Sequence, residues 1–311
     1  MTLSLLLQFT ASSLAACVAV CFLVNKLCSW GLKNQQIPKF WISIIMALVC
    51  TLPNAACTLS SILQLIPTPP LSVHFAYMSL DLFFYIPLLT MLRPFNYNLS
   101  AARLETPFLF ATCTVYLLYG LEGGSFTYAK IIPMGIIFLM FCYDIMRMLE
   151  LGDYKIESTA KESNTKALVY ILFYSLVYTL SLTFYTVNGN LFWGREGHTL
   201  YEIILLTYSV LLGILPNVCI IVTWLKNNAP PELFVCNVIF AYMLTCTFLI
   251  PLQAFFIPTS CDQELIFYTL TSLLGLTVLW FQVTCLNYSN RVIATVMLTI
   301  GMIVGYKLVS I

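Results

Sequence analysis

The sequence predicts an all-α polytopic membrane protein of about ten transmembrane helices, arranged as a five-plus-five inverted repeat. Three observations predict it: an extreme apolar composition, ten separable apolar blocks, and basic residues confined to alternate loops. Of 311 residues, 60% are hydrophobic and 9% charged, against about 45–50% and 25% in soluble domains. A water-soluble fold is excluded. The formal net charge is +1 and no basic cluster tracks a phosphate backbone, so nucleic acid is excluded as a partner. Most of the 12 cysteines, Cys17, Cys21, Cys50, Cys113 and Cys246 among them, lie in apolar stretches, where a thiol behaves as a small buried hydrophobe. Neither a disulfide framework nor a metal or other cofactor site is expected.

Taken in order, the apolar blocks fall at 3–30, 39–65, 73–92, 105–121, 127–148, 166–187, 200–225, 232–257, 265–286 and 289–309. The first opens with no preceding positive charge, unlike a cleaved signal peptide, and is expected as a retained span. A helix satisfies its own backbone in lipid, and alternating ten-residue strands of a barrel are not seen. Ten helices follow.

Cytoplasmic loops collect Lys and Arg. One set of alternate loops holds Lys26, Lys33, Lys39, Arg93, Arg103, Arg147, Lys155, Lys161, Lys166, Lys226 and Arg291, and the other only Arg195 and Lys307; Lys130 lies within a block. This bias puts both termini outside the cytosol. The polar stretch 150–165 then reads as a cytosolic linker between a first five-helix repeat, 1–149, and a second, 166–311.

Sliding the first half by 163 residues lays every apolar block on a counterpart. Leu52-Pro53-Asn54 falls on Leu215-Pro216-Asn217. An odd number of helices per copy forces the second copy to insert upside down, as in secondary transporters.

Proline in a span frees a carbonyl, and asparagine beside it offers groups that lipid cannot satisfy. Asn54 and Asn217 are therefore candidate substrate contacts, the alternative being interhelical glue. Ionisable groups in spans are costly and mark cavities or partners. Asp81 is central in the third span. Lys130 lies near the non-cytosolic end of the fifth, where it either meets an anion or snorkels to water. Asp144 and Glu202 sit near span ends, where interfacial exposure accounts for them. Tyr170, Tyr174 and Tyr178 recur every four residues, as a stacking wall or a helix interface would require. Catalysis is not expected, because His74 and His198 are the only histidines and no Ser-His-Asp or metal-hydrolase arrangement occurs.

The stretch 106–148 has a short helix ending in Tyr119-Gly120, a tight turn, then 128–144 with Pro133. It resembles the third and fourth helices of the drug/metabolite transporter superfamily, especially its nucleotide-sugar branch. Phe234-Val235-Cys236-Asn237 stands where transporters of the GDP-mannose type carry Phe-Tyr-Asn-Asn. The resemblance implies exchange of a cytosolic nucleotide sugar for a nucleoside monophosphate by alternating access, in a Golgi or endoplasmic reticulum membrane, with the plasma membrane as the other location allowed. Asn54, Asn217 and Asn237 would bond the sugar or base, Tyr128 and Tyr208 would stack, Lys130 would meet phosphate, and Asp81 would line the same path. Lipid is the expected surround and a homodimer is allowed. Two other readings stay open: a seven-helix chemoreceptor-like protein, and a structural subunit of a membrane complex.

The charge alternation has a direct check. The sequons Asn98-Leu99-Ser100 and Asn287-Tyr288-Ser289 both face the cytosol in this topology, so expression in a glycosylating host should yield a chain whose gel mobility is unchanged by endoglycosidase. A mobility shift that Asn98→Gln or Asn287→Gln removes would invert the topology.

Overall fold

The computed structural model describes residues 3–33, 39–63, 71–97, 100–150, 169–181, 215–226, 228, 231–257, 259, 261 and 263–309. Among these, helix forms in ten segments, matching the expected count. They are α1 (Leu3–Lys33), α2 (Lys39–Ile62), α3 (71–92), α4 (Ser100–Glu122), α5 (Tyr128–Glu150), α6 (Val169–Ser181), α7 (Leu215–Lys226), α8 (Glu232–Phe256), α9 (Gln263–Leu286) and α10 (Arg291–Val309). Four of them contain stretches long and apolar enough to cross a membrane: His74–Leu92, Tyr128–Arg147, Glu232–Phe256 and Gln263–Leu286. A seven-helix receptor does not fit ten such segments. The expected linker at 150–165 lies almost wholly outside the described residues, as do Glu202 and Tyr208.

Burial separates the spans by role. The Glu232–Phe256 span is 89% buried, but Tyr128–Arg147 is only 17% buried. On α5 the side chains of Ile132, Ile136, Leu139, Met140 and Tyr143 are all exposed. An exposed apolar band of that length is unstable in water and ordinary against lipid tails.

The chain forms two compact units, and each draws on both halves of the sequence. The first comprises Met1–Thr68 and Ile156–Ala229, the second Pro69–Lys155 and Pro230–Ile311. In the first, α1 packs on α7 and α2. Phe22 stacks on Tyr174 at 5.4 Å, Lys26 lies over the ring of Tyr170, and the Cys21 and Cys219 thiols meet at 2.7 Å. Tyr178 is fully buried. The tyrosines at four-residue spacing thus make a helix interface.

The second unit shows the repeat in atomic detail. Both α3 and α8 are broken by one π-turn, Asp81–Tyr85 and Thr245–Leu249, each followed by a proline, Pro87 and Pro251. Equivalent positions are 164 residues apart. The 163-residue shift of the sequence was one short here because smooth apolar blocks cannot resolve a single inserted residue. Both turns carry the wide backbone bond, Ile86 N–H to Asp81 O and Ile250 N–H to Thr245 O. The helix ends agree too: Gly123 (φ 70°) closes α4 and Asn287 (φ 61°) closes α9, both left-handed, the conformation that favours Gly and Asn just past a helix C-terminus.

Loop pairing establishes the inversion. The segment after α3 pairs with the turn between α9 and α10: Tyr97 N–H donates to Asn287 O (3.1 Å) and Ser289 N–H to Phe95 O (2.8 Å). The segment after α8 pairs with the turn between α4 and α5: Phe126 N–H donates to Thr259 O (2.7 Å) and Cys261 N–H to Gly124 O (2.9 Å). Since α4 carries the chain from one pairing to the other, α3 and α8 end at opposite faces. The equivalent helices are antiparallel.

Two glycines let neighbours close on the π-turn of α3. A Cβ at Gly301 on α10 would stand 2.6 Å from the Phe83 carbonyl oxygen, and one at Gly275 on α9 would stand 2.9 Å from Phe83 Cε2. Backbone cannot yield as a side-chain tip can. Gly301→Ala should cost about 1–3 kcal/mol, the usual penalty for overpacking, seen as a lowered thermal midpoint in detergent. Gly305→Ala, whose Cβ would meet only Leu80 Cδ2 at 3.8 Å, should leave the midpoint unchanged; equal loss in both variants would refute the contact.

Candidate functional site

Proline creates the geometry of the site. Pro87 has no N–H to give to the carbonyl of Phe83 four residues earlier, and its ring presses on that turn. The chain widens into a π-turn to make room. In α8 Pro251 likewise withholds a donor from the Thr247 carbonyl, and on the same turn the hydroxyl of Tyr116 on α4 donates to the Cys246 carbonyl at 2.7 Å. Beside the α3 turn is a small cavity lined by Pro87, Thr90, Gln282 and Met297, among others.

Asp81 opens the π-turn of α3 and is 5% exposed. The Tyr242 hydroxyl on α8 donates to its carboxylate. Tyr85, on the same turn, lies within range of the Asp81 charge, and Tyr77 lies beside Tyr242. The repeat places Thr245, 1% exposed, where α3 has Asp81. One turn is acidic and the other neutral. The result is a buried carboxylate bonded by one phenol, Tyr242, with a second, Tyr85, close by.

The other residues singled out by sequence separate. Asn237, on α8, is 1% exposed, and Asn217, on α7, is buried; Asn54, on α2, is half-buried. All three are engaged by neighbours. Asn54 and Asn217 belong to the first unit and Asp81 and Asn237 to the second. Tyr128 is 67% exposed and packs edge-on against Phe255.

Lys130 is buried, and the anion it meets is a carboxylate of its own chain. Its ammonium bonds Glu122 Oε2 and the Gly123 carbonyl, both at 3.1 Å, and lies 5.3 Å from the Tyr119 ring centre. Tyr119 in turn donates to the Lys130 carbonyl at 2.9 Å. The lysine ties down the Gly123-Gly124 turn.

Sequence reasoning passed over Glu105, which is fully buried on α4 near Asp144. It fell on the first position of an apolar block, where a charge reads as interfacial. The signal available was its place at the head of an apolar block, three residues before Phe108.

No protein-family model and no curated protein matches the chain. Solved structures do. The sodium-calcium exchanger NCX_Mj soaked with 2.5 mM Na+ and 0.1 mM Sr2+ aligns over 97% of this chain and 98% of its own, at 12% identity and a TM-score of 0.69. The same exchanger with 10 mM Na+ and 10 mM Sr2+ aligns over the same shares at 13% identity and 0.66. The chain therefore has the fold of that exchanger over nearly its whole length. This overturns the nucleotide-sugar resemblance. Helix lengths around 106–148 and the Phe234–Asn237 tetrapeptide carried that resemblance, and such a layout does not by itself distinguish one polytopic helical fold from another; Asn237 is buried and engaged, and Lys130 is paired with Glu122.

The lysine network can be checked by stability. Glu122 is 66% exposed, so Glu122→Gln should cost under about 1 kcal/mol, the range of exposed pairs. Lys130→Ala also loses the Gly123 carbonyl bond and the Tyr119 contact and should cost about 1–3 kcal/mol. Chemical denaturation that ranked the two the other way would contradict the turn-holding role.

Proposed function

We propose that this chain is a secondary antiporter that exchanges small inorganic cations across its membrane by alternating access. The observation that carries the reading is Asp81: a single buried carboxylate on a π-turn, bonded by Tyr242, in the repeat half whose partner turn is neutral. The shared fold with a sodium-calcium exchanger supports it. So does charge, because the buried Lys130 is already paired with Glu122.

One carboxylate neutralises one charge, so Asp81 suits a monovalent ion. A divalent ion needs additional oxygens, six to eight in the case of calcium. Asn237, in the same unit as Asp81, is the residue we assign as a further amide ligand; Asn54 and Asn217, on the matched Pro-Asn pairs, are proposed as ligands within the first unit. In this reading 1–149 and 166–311 are the two inverted repeats, joined by a linker at 150–165, and access alternates between the two sides of the membrane. Broken helices in matched positions of two halves are where such transporters hold their ions.

Purified protein in proteoliposomes tests the proposal. Uptake of labelled Na+, K+ or Ca2+ should be driven by an opposing gradient of one of the others. Asp81→Asn should lower the rate at least about tenfold, the equivalent of ~1.4 kcal/mol, and Tyr242→Phe less. Absence of flux under every pairing, or an Asp81→Asn variant as fast as wild type, would sink the reading.

A further inference from the structure

A second ionisable site lies away from the π-turns. Glu105 on α4 has no exposed surface, and neither of its carboxylate oxygens has a hydrogen-bond partner. Asp144 on α5 has a buried oxygen, Oδ2, likewise without a partner, and its charge acts directly on Glu105. The two helices touch just below the pair. Phe108, three residues from Glu105, meets Phe141, three residues from Asp144, at 6.1 Å, and Phe240 of α8 closes on Phe141 at 5.6 Å. Two carboxyl groups thus flank one aromatic contact, each three residues from it, and three of their four oxygens are buried without a hydrogen-bond partner.

Electrostatics leaves few occupants. An unpaired buried carboxylate costs several kcal/mol, and two adjacent ones cannot both ionise without a positive charge between them. Among the described side chains the nearby ionisable groups do not supply one. Arg147, one turn beyond Asp144, is exposed; on α8 the Glu232 carboxylate and the Cys236 thiol act on Tyr97, and Tyr242 serves Asp81; Cys285 at the end of α9 is exposed. Burial and those neighbours keep the Tyr97 hydroxyl, in the loop, protonated well above its usual range. Among the described residues no group of three acidic, His or Cys side chains could hold a metal ion, and two carboxylates fall short of a calcium shell.

We infer that Glu105 and Asp144 form a proton-binding carboxyl pair, loaded from the end of the second unit where α4 begins and α5 ends. One carboxyl donates its O–H to the other, which uses two of the bare oxygens. On release the proton passes to water at that end and the pair gains one negative charge. The basic residues Arg93, Arg103 and Arg147 flank this end in the sequence, so the pair reads cytosolic pH. It is separate from the proposed cation site and does not depend on it.

Infrared difference spectroscopy on the full chain in lipid nanodiscs, titrated with pH in sodium-free buffer, tests the pair without any transport assay. A protonated-carboxyl band should persist at neutral pH, shift in heavy water, disappear in Glu105→Gln, and titrate at a different pH in Asp144→Asn. Should Glu105→Gln fail to fold, the Asp144→Asn shift stands as the deciding result. No such band, a band untouched by either substitution, or a band that added Na+ abolishes would overturn the proposal, the last in favour of a bound metal cation.

Discussion

In hydrocarbon a backbone carbonyl without a donor has no water to turn to, and Pro87 creates such a carbonyl at Phe83 in the middle of α3. The chain answers with a π-turn and with a close approach: Gly301 brings α10 against the Phe83 carbonyl, and Gly275 brings α9 against its ring. In α8 the Tyr116 hydroxyl of α4 donates to the Cys246 carbonyl on the turn before Pro251. Both solutions recruit a neighbouring helix. The proline that weakens each span therefore helps to decide which helices pack on it, and Asp81 is held where that widening begins.

The two π-turns are equivalent in the repeat but not in chemistry. Asp81 faces Tyr242, while Thr245 stands in its place on α8. A duplicated scaffold with one acidic copy can hold charge without two buried carboxylates repelling each other, which costs less than a symmetric pair. The loops reinforce the scaffold, since each turn between the last two helices of one repeat is hydrogen-bonded to the segment after the third helix of the other. Antiparallel helices joined at both ends in this way form one compact unit from two distant stretches of chain.

Electrostatic accounting distinguishes structural from functional charge in this protein. Lys130 and Glu122 cancel one another and brace a turn. Asp81 is bonded by the Tyr242 hydroxyl. Both oxygens of Glu105 and Oδ2 of Asp144 are buried without a hydrogen-bond partner. These two arrangements, a carboxylate held by a phenol and a pair of carboxyl groups with bare oxygens, underlie the proposed cation site and the proposed proton site.

Composition, block length and basic-loop alternation made the ten helices and their inversion legible in the sequence, because lipid imposes a length and a polarity on every span regardless of what it packs against. The 163-residue shift found Pro53-Asn54 and Pro216-Asn217 for the same reason. The π-turns, the one-residue difference in offset, the Gly301 approach and the partners of Lys130 and Glu105 were not legible. Each depends on which helix lies alongside, and apolar blocks of similar length satisfy the bilayer in many packings. That is also why a nucleotide-sugar transporter and a cation exchanger fold looked alike from sequence: the membrane dictates the spans of both, and only tertiary contacts decide which charges remain free to bind an ion.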